Sequence, residues 1–407
     1  MENPTHRNRM TRLTPTLALL VAPVLALTAC SGGSFSAEEP GGADDTDRAL
    51  KIGLIAPLTG PASLEGTSMQ QGFELGLDAV NAAGGVLGHD VELVVVDDMS
   101  EAATSTQVAQ RLVREEQVDY LFGTIAGDTT NAVASVAADA EVPFSSAIMG
   151  IVPSCSAHFW PFGVTEPMVL EAIVPRMVDE YGPRVAFAGN DYLFPREYAD
   201  VARAALDEAG GEFVVEEYAP LGTSEWQPVI SKMQSADPDW ILTGVVGGDA
   251  VAFTQQAEQF GLLDDRGFTG TTHQQEFYGA ISSALEGRTT VLPYTDQLDD
   301  EANEEFVAAY RDAYDFDDPI PAVAATSYMA AHFIASAVEA AGDYAAEAVS
   351  EQMSQTTSEG VLGGGSFDSE THMWSQNMYV IEIDADGAYT LVEDLGVVSD
   401  PQPRTCA

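Results

Sequence analysis

The chain has 407 residues, 64 acidic against 16 basic side chains and a net charge of −48, and its lysines are Lys51 and Lys232 alone. No basic stripe exists to neutralise phosphates, which excludes nucleic acid as a partner and electrostatic docking on anionic lipid as a mode of attachment. So large a charge repels itself in dilute buffer and is screened where the Debye length falls to about 3 Å at 1 M salt. With lysine nearly absent, this points to a salt-loving source; the plainer alternative is an acidic exported protein kept dispersed by its charge.

In chain order, Arg7, Arg9 and Arg12 precede an apolar run from Leu17 to Leu27. That run is too short to span a membrane, and the order basic, apolar, small describes a secretory signal over 1–29. Its ending, Leu27-Thr28-Ala29-Cys30, resembles the bacterial lipoprotein box. The resemblance implies that Cys30 carries lipid and becomes the first residue. Residues 30–48 are mostly Gly, Ser, Glu and Asp, with little to bury, and are expected to form a disordered tether. The remaining length suits two lobes. Export places Cys155 and Cys406 in oxidising surroundings, so they are expected to bond and pin the 396–407 tail; two free thiols are the alternative.

Strands and helices then alternate. Ile52, Leu54 and Ile55 form a strand that stops at Pro57, and Met69, Phe73, Leu77 and Val80 recur at helical spacing until Gly84-Gly85. Val91 to Val96 is a continuous apolar run, as in a strand buried on both faces. A helix around Val108 and Leu112, a strand from Val118 to Phe122, a helix from Thr129 to Ala138 and a strand from Val142 to Ser145 follow. The pattern restarts with strands at Val185 to Ala188, Phe213 to Tyr218 and Trp240 to Val246. Helices at Glu197 to Ala209, Pro228 to Gln234 and Asp249 to Phe260 alternate with them. Helices at Glu301 to Tyr314 and Ala322 to Ala341 and strands at Met378 to Ile383 and Tyr389 to Glu393 close the series. Repeated βαβ units predict two doubly wound α/β lobes with parallel sheets and a cleft between them, the ligand lying beyond the carboxyl ends of the strands. The loops that reach such a cleft are Leu58 to Gly66, Gly123 to Thr130, Ser145 to Gly150, Gly189 to Arg196 and Val246 to Asp249.

Those loops carry a resemblance. Leu54-Ile55-Ala56-Pro57-Leu58-Thr59-Gly60-Pro61, Asn81-Ala82-Ala83-Gly84-Gly85-Val86-Leu87-Gly88 and Asp97-Asp98 resemble the type I solute-binding proteins of ABC importers, in the branched-chain amino acid and amide group. Gly189-Asn190-Asp191-Tyr192-Leu193-Phe194-Pro195-Arg196-Glu197, Tyr218-Ala219-Pro220-Leu221-Gly222 and Gln227-Pro228-Val229-Ile230 are similar to the urea and short-chain amide branch. So are Phe367-Asp368 and Thr371-His372-Met373-Trp374. The resemblance spans roughly residues 50 to 393, and its strength lies in the order and spacing of motifs that are each weak. It implies the periplasmic-binding-protein type I fold with three crossings, placed near Val164, Pro293 and Ser358. Lobe 1 is then 49–164 with 294–358, and lobe 2 is 165–293 with 359–395. It also implies hinge closure on a ligand and docking to a permease. Ile125 and Gly127 stand where the amide branch carries an aromatic residue and a serine, and Ser145-Ser146-Ala147 stands where it usually begins with tyrosine.

Each site candidate has a structural alternative. Gly127, Asp128 and Thr129 open a helix whose main-chain N–H groups attract an anion or a carbonyl oxygen, or simply need a cap. Ser145 and Ser146 offer hydroxyls to a ligand or satisfy backbone at a strand end. Tyr192 and Phe194 wall the pocket or pack within lobe 2, and at least one is expected to face the cleft. Asp249 caps its helix or accepts ligand N–H groups, and Glu276 does the same or is a solvated loop charge. His273 is expected at the surface rather than on a metal.

Catalytic constellations are missing. There is no Gly-rich loop ending in Lys-Ser or Lys-Thr, no Gly-x-Ser-x-Gly elbow, and six scattered histidines without ligand spacing. No enzyme activity, cofactor or metal is expected. Arg196 is the only basic residue in the named loops, so a phosphate would find no arginine clamp. Urea or a short amide is the expected ligand, with a branched-chain amino acid next. The expected role is that of a lipid-anchored subunit on the extracellular face that hands its ligand to an ABC permease; a sensor handing its signal to a partner is the alternative, and an extracellular enzyme is disfavoured. If the source is salt-loving, the melting temperature should climb by several degrees between dilute buffer and molar salt; a flat curve would refute this.

Overall fold

The computed structural model describes residues 46–147, 156–384 and 387–401. Cys30, Cys155 and Cys406 lie outside the described residues, as do the 1–29 segment, most of the 30–48 tether and the end of the 396–407 tail. Among the described residues no helix is long and apolar enough to cross a membrane.

The same winding occurs twice. β1 (Lys51–Ala56), α1 (Ser63–Ala82), β2 (Glu92–Asp97), α2 (Ala102–Arg111), β3 (Tyr120–Gly123), α3 (Gly127–Ala140) and β4 (Phe144–Ser145) build a sheet in the order β2-β1-β3-β4. After α4 (Glu166–Tyr181) come β5 (Arg184–Asn190), α5 (Leu193–Ala209), β6 (Glu212–Ala219), α6 (Gln227–Ala236), β7 (Trp240–Gly244), α7 (Gly247–Gln259) and β8 (Gly267–Gly270). Their sheet runs β6-β5-β7-β8. Every pairing in both sheets is parallel, with Ile52 opposite Leu93 and Tyr120 in the first and Val185 opposite Phe213 and Trp240 in the second. The two expected α/β lobes with parallel sheets are present.

The last part of the chain adds α8 (Tyr278–Leu285), β9 (Arg288–Leu292), α9 (Glu301–Tyr314), α10 (Ala322–Ala341), α11 (Ala346–Met353), β10 (Thr357–Gly360), β11 (Gly363–Phe367), β12 (Trp374–Ile383) and β13 (Tyr389–Val398). These form a third sheet, antiparallel, in the order β10-β11-β12-β13 with β9 also on β12. Sequence periodicity shows only its last two strands. Gly-Gly-Gly-Ser-Phe in β11 has too few side chains to give a strand signal, and tertiary pairing overrides that weak propensity.

The second sheet is buried on both faces. Val185, Phe187, Trp240 and Leu242 pack in one cluster with Leu170, Ile173 and Val174 of α4 and Tyr198, Ala202 and Leu206 of α5. Ala186, Ala188 and Ile241 point the other way, into the larger cluster that also holds Ile230, Met233 and Phe253. This is the period-two alternation of a strand between two helical layers. Within the larger cluster an aromatic knot joins the segment before α4 to α10 and the antiparallel sheet. Phe162 lies 4.8 Å from Phe367, 5.1 Å from Trp374 and 5.3 Å from Phe333, ring centre to ring centre.

α1 is set by what it lacks. A Cβ built on Gly66 would fall 2.1 Å from the Pro57 carbonyl oxygen, one on Gly72 2.0 Å from that of Ala324, and one on Gly76 2.7 Å from that of Tyr328. The helix therefore lies with its backbone against the loop after β1 and against α10. The neighbour at Gly72 is main chain and cannot step aside. Gly72→Ala is expected to lose about 1–3 kcal/mol in urea denaturation, the range of an overpacked core. At Gly248, in the first turn of α7, a Cβ meets nothing within 4 Å, so Gly248→Ala should be neutral or gain up to about 1 kcal/mol. Equal midpoints for the two variants would contradict the close helix packing.

Candidate functional site

The carboxyl ends of both parallel sheets face one cavity of about 220 Å³. From the first sheet come Pro61, Ala62 and Glu65 after β1, Ser100 after β2, Ile125 to Thr129 after β3, and Ala147 after β4. From the second come Tyr192 and Phe194 after β5, Leu221 after β6, Val246 after β7, and Gln274 and Glu276 after β8. Gly163, Val164, Leu292 and Pro293 line it where the chain passes between the sheets, and Ala322, Val323 and Thr326 of α10 complete the wall.

The loop after β1 is held by Asp97, the last residue of β2. Its carboxylate accepts from Leu58 N at 3.0 Å, Thr59 N at 3.3 Å, Thr59 Oγ1 at 2.6 Å and Met99 N at 2.9 Å. Burial pushes its pKa up, but these bonds outweigh it and hold the carboxyl below its ordinary value. Ser100 Oγ then accepts from Ala62 N at 3.3 Å. Beyond Ala62, α1 begins and carries Glu65 inward.

Two elements end at the cavity with uncapped helix starts. Neither Ala126 before α3 nor Val246 before α7 gives a side-chain cap. At α3 the hydroxyls turn back on the helix: Thr129 Oγ1 donates to Ala126 O at 2.8 Å and Thr130 Oγ1 to the same oxygen at 2.9 Å. Gly127 is open, since a Cβ there would meet nothing within 4 Å. At α7, Gly248 N donates to Pro61 O at 3.4 Å, and a Cβ on Gly247, whose φ is +57°, would fall 2.2 Å from that oxygen. The loop from the first sheet thus rests main chain to main chain on the start of the helix from the second.

Electrostatics set this cavity apart. Its ionisable carboxyls are Glu65, Asp128 and Glu276, and no Lys, Arg or His is among its lining residues. Glu65 is 6% exposed, and its Oε2 is buried without a hydrogen-bond partner. Burial raises its pKa to about 7, against the pull of its own N–H and that of Gly247. Glu276 keeps some exposure, to the cavity it lines, yet protein surrounds its carboxyl. Burial first, and the charge of Glu65 second, raise it to about 8. Tyr192 is pushed well above its ordinary value by burial and by Glu65, Asp128 and Asp249. Asp128 is exposed at the start of α3.

Of the residues singled out from sequence, Gly127, Thr129, Tyr192, Phe194 and Glu276 line the cavity together with Asp128 and Ile125. Ser145, Ser146 and Asp249 are not among the lining residues. Ser145 Oγ is bonded to Tyr120 OH at 2.7 Å, and Ser146 Oγ is buried without a hydrogen-bond partner. The Asp249 carboxylate is taken up by the protein: Asn190 Nδ2 donates to it at 2.7 Å, Gly222 N at 2.8 Å and Thr223 N at 3.1 Å. It ties the ends of β5 and β6 to α7, with Asn190 Oδ1 accepting from Val246 N at 3.0 Å. His273, expected at the surface, is fully buried, and burial lowers its pKa to about 3, so it is neutral. Arg196 forks onto Asp191 at 3.0 and 2.6 Å and stacks over Tyr218, outside the cavity.

Glu65 is the main residue that sequence reasoning passed over. It lies inside the named Leu58 to Gly66 loop, and a carboxylate there beyond a strand end was the available signal. Thr326 and Val323 gave none, because α10 comes from far down the chain. Among the described residues no group of three or more His, Cys, Asp or Glu has metal-binding geometry.

Residues 49–388 match the periplasmic binding protein family. The leucine-, isoleucine-, valine-, threonine- and alanine-binding protein of Pseudomonas aeruginosa is 24% identical over 84% of this chain and 92% of its own length. A Leu/Ile/Val-binding protein homologue of Brucella melitensis is 27% identical over 84% and 89%. Among solved structures, a solute-binding protein of an ABC transporter from Rhodopseudomonas palustris, in complex with 3,4-dihydroxybenzoic acid, superposes with a TM-score of 0.79 at 23% identity, covering 87% of this chain and 99% of that one. The branched-chain amino acid transporter substrate-binding protein of Streptococcus pneumoniae, in complex with isoleucine, does so with a TM-score of 0.74 at 23% identity, covering 86% and 100%. With the fold, the cleft between two parallel sheets and the match over most of its length in agreement, the chain belongs to the periplasmic binding protein family, whose relatives here are solute-binding proteins of ABC transporters.

Proposed function

We propose that this chain is the capture subunit of an ABC importer, held at the outer face of the membrane by lipid on Cys30, and that it closes over a small nitrogen-bearing solute for delivery to a permease. The cavity carries this reading: loops from two separate sheets enclose it, its walls are largely apolar, and two carboxyls reach into it. A protonated amino group on a short apolar body suits Glu65 and Glu276 together with Ile125, Val246, Leu292 and Val323. The names of the relatives favour an amino-bearing solute as well. Urea or a short-chain amide is the second reading. Carboxyls with pKa values of about 7 and 8 keep a proton near neutrality and can donate it to an amide oxygen, but urea has no apolar body to cover the aliphatic wall.

The hinge of this reading runs through the crossings near Val164, Pro293 and Ser358, which divide the chain into lobe 1 (49–164 and 294–358) and lobe 2 (165–293 and 359–395). Gly163, Val164, Leu292 and Pro293 line the cavity, so bending there opens it directly. A thermal-shift screen with leucine, isoleucine, valine, urea, acetamide and short alkylamines should find a ligand. Saturation with that ligand should shrink the radius of gyration in solution scattering. An unchanged radius beside a proven heat of binding would remove hinge closure from the reading.

Anchoring has its own test. Wild-type protein should partition with membranes, and Cys30→Ala should pass into the medium with its fold intact by circular dichroism. Mass spectrometry that finds an unmodified mature N-terminus would sink the lipid tether.

A further inference from the structure

The acidic side chains of this cavity have no counter-charge from the protein. Glu65 enters from the start of α1, Glu276 from the loop after β8 and Asp128 from the start of α3, and no basic side chain lines the space. Glu276 feels the charge of Glu65. Tyr192, also in the wall, feels Glu65 and Asp128. The neighbouring ionic groups are committed elsewhere: Asp249 to Asn190, Gly222 and Thr223, and Arg196 to Asp191. Glu65 adds a second observation, because its Oε2 is buried and without a partner while the residue lines the cavity. An unpaired buried carboxylate is costly, so the two carboxyls hold protons near neutrality in the empty cavity, and a cation supplied from outside stabilises their charged forms and drives those protons off.

We propose that the cleft selects a ligand of net positive charge, a small aliphatic ammonium or guanidinium cation held between Glu65 and Glu276, over zwitterions and uncharged amides of the same shape. This rests on the reading of the cavity as a capture site for a nitrogen-bearing solute and narrows its ligand class. A zwitterionic amino acid brings a carboxylate that needs its own donors. The uncapped start of α3 offers main-chain N–H groups for it, but Asp128 stands in that same first turn and opposes a second negative charge. The site therefore attracts the ammonium end twice and receives the carboxylate end poorly. The apolar wall of Ile125, Val164, Phe194, Val246 and Leu292 fits the hydrocarbon part of the cation.

Four probes with one hydrocarbon body decide the matter: 3-methylbutylamine, leucine, 3-methylbutanamide and 3-methylbutanoate, each titrated calorimetrically into the full-length mature protein at neutral pH. The amine should bind on the order of tenfold tighter than leucine or the amide, and the carboxylate should bind worst. Glu65→Gln should remove most of the amine's advantage, by a factor on the order of ten, whereas Glu65→Asp should keep its sign. Leucine or the amide binding as tightly as the amine to wild-type protein overturns the charge selection and leaves the capture reading standing. No binding by any of the four overturns both the charge selection and the reading of the cavity as a site for a nitrogen-bearing solute with an apolar body. An amine-to-leucine ratio unchanged in folded Glu65→Gln overturns the role of Glu65.

Discussion

The close approach of α1 to its neighbours governs the site. With no side chain at positions 66, 72 and 76, the helix backbone sits against Pro57 on one side and against Ala324 and Tyr328 of α10 on the other. That placement brings the first turn of α1 and the first turn of α10 to the same wall, so Glu65 and Thr326 share one cavity although the chain separates them widely. Any longer side chain at those positions would press on main chain and push α1, with Glu65, away from its seat.

Much of the fold was legible because parallel βαβ units announce themselves. Buried strands such as β1 and β7 are short apolar runs, and the helices between them carry apolar residues at helical spacing. The carboxyl-end rule named loops that reach the cavity, where Gly127, Thr129, Tyr192 and Phe194 line it, as does Glu276 from outside those loops. What escaped is equally physical. β10 and β11 are mostly Gly, Ser and Thr and become strands only through their neighbours. The buried state of His273 depends on Phe268 and the layer beneath it, which no local pattern encodes.

Asp249 shows why a residue type at the right address does not fix a role. It stands at the first turn of α7, at the carboxyl end of a parallel sheet, where a ligand acceptor is expected. Three donors from β5 and the β6 loop reach it first. Its effect on the cavity is indirect, through the placement of Leu221 beside Gly222. Glu65 has the opposite history: it looks like an ordinary first-turn acid on α1, yet its carboxyl is buried with one oxygen unpartnered.

The contact across the cleft is made of main chain on both sides, with the Pro61 carbonyl against Gly247 and the N–H of Gly248. Such a latch is largely blind to side-chain drift. Mutations can exchange Ile125, Leu221 or Val246 for other shapes while the lobes still meet at the same atoms. One scaffold can then be recut around a different cavity while the backbone contact between its two halves stays as it is.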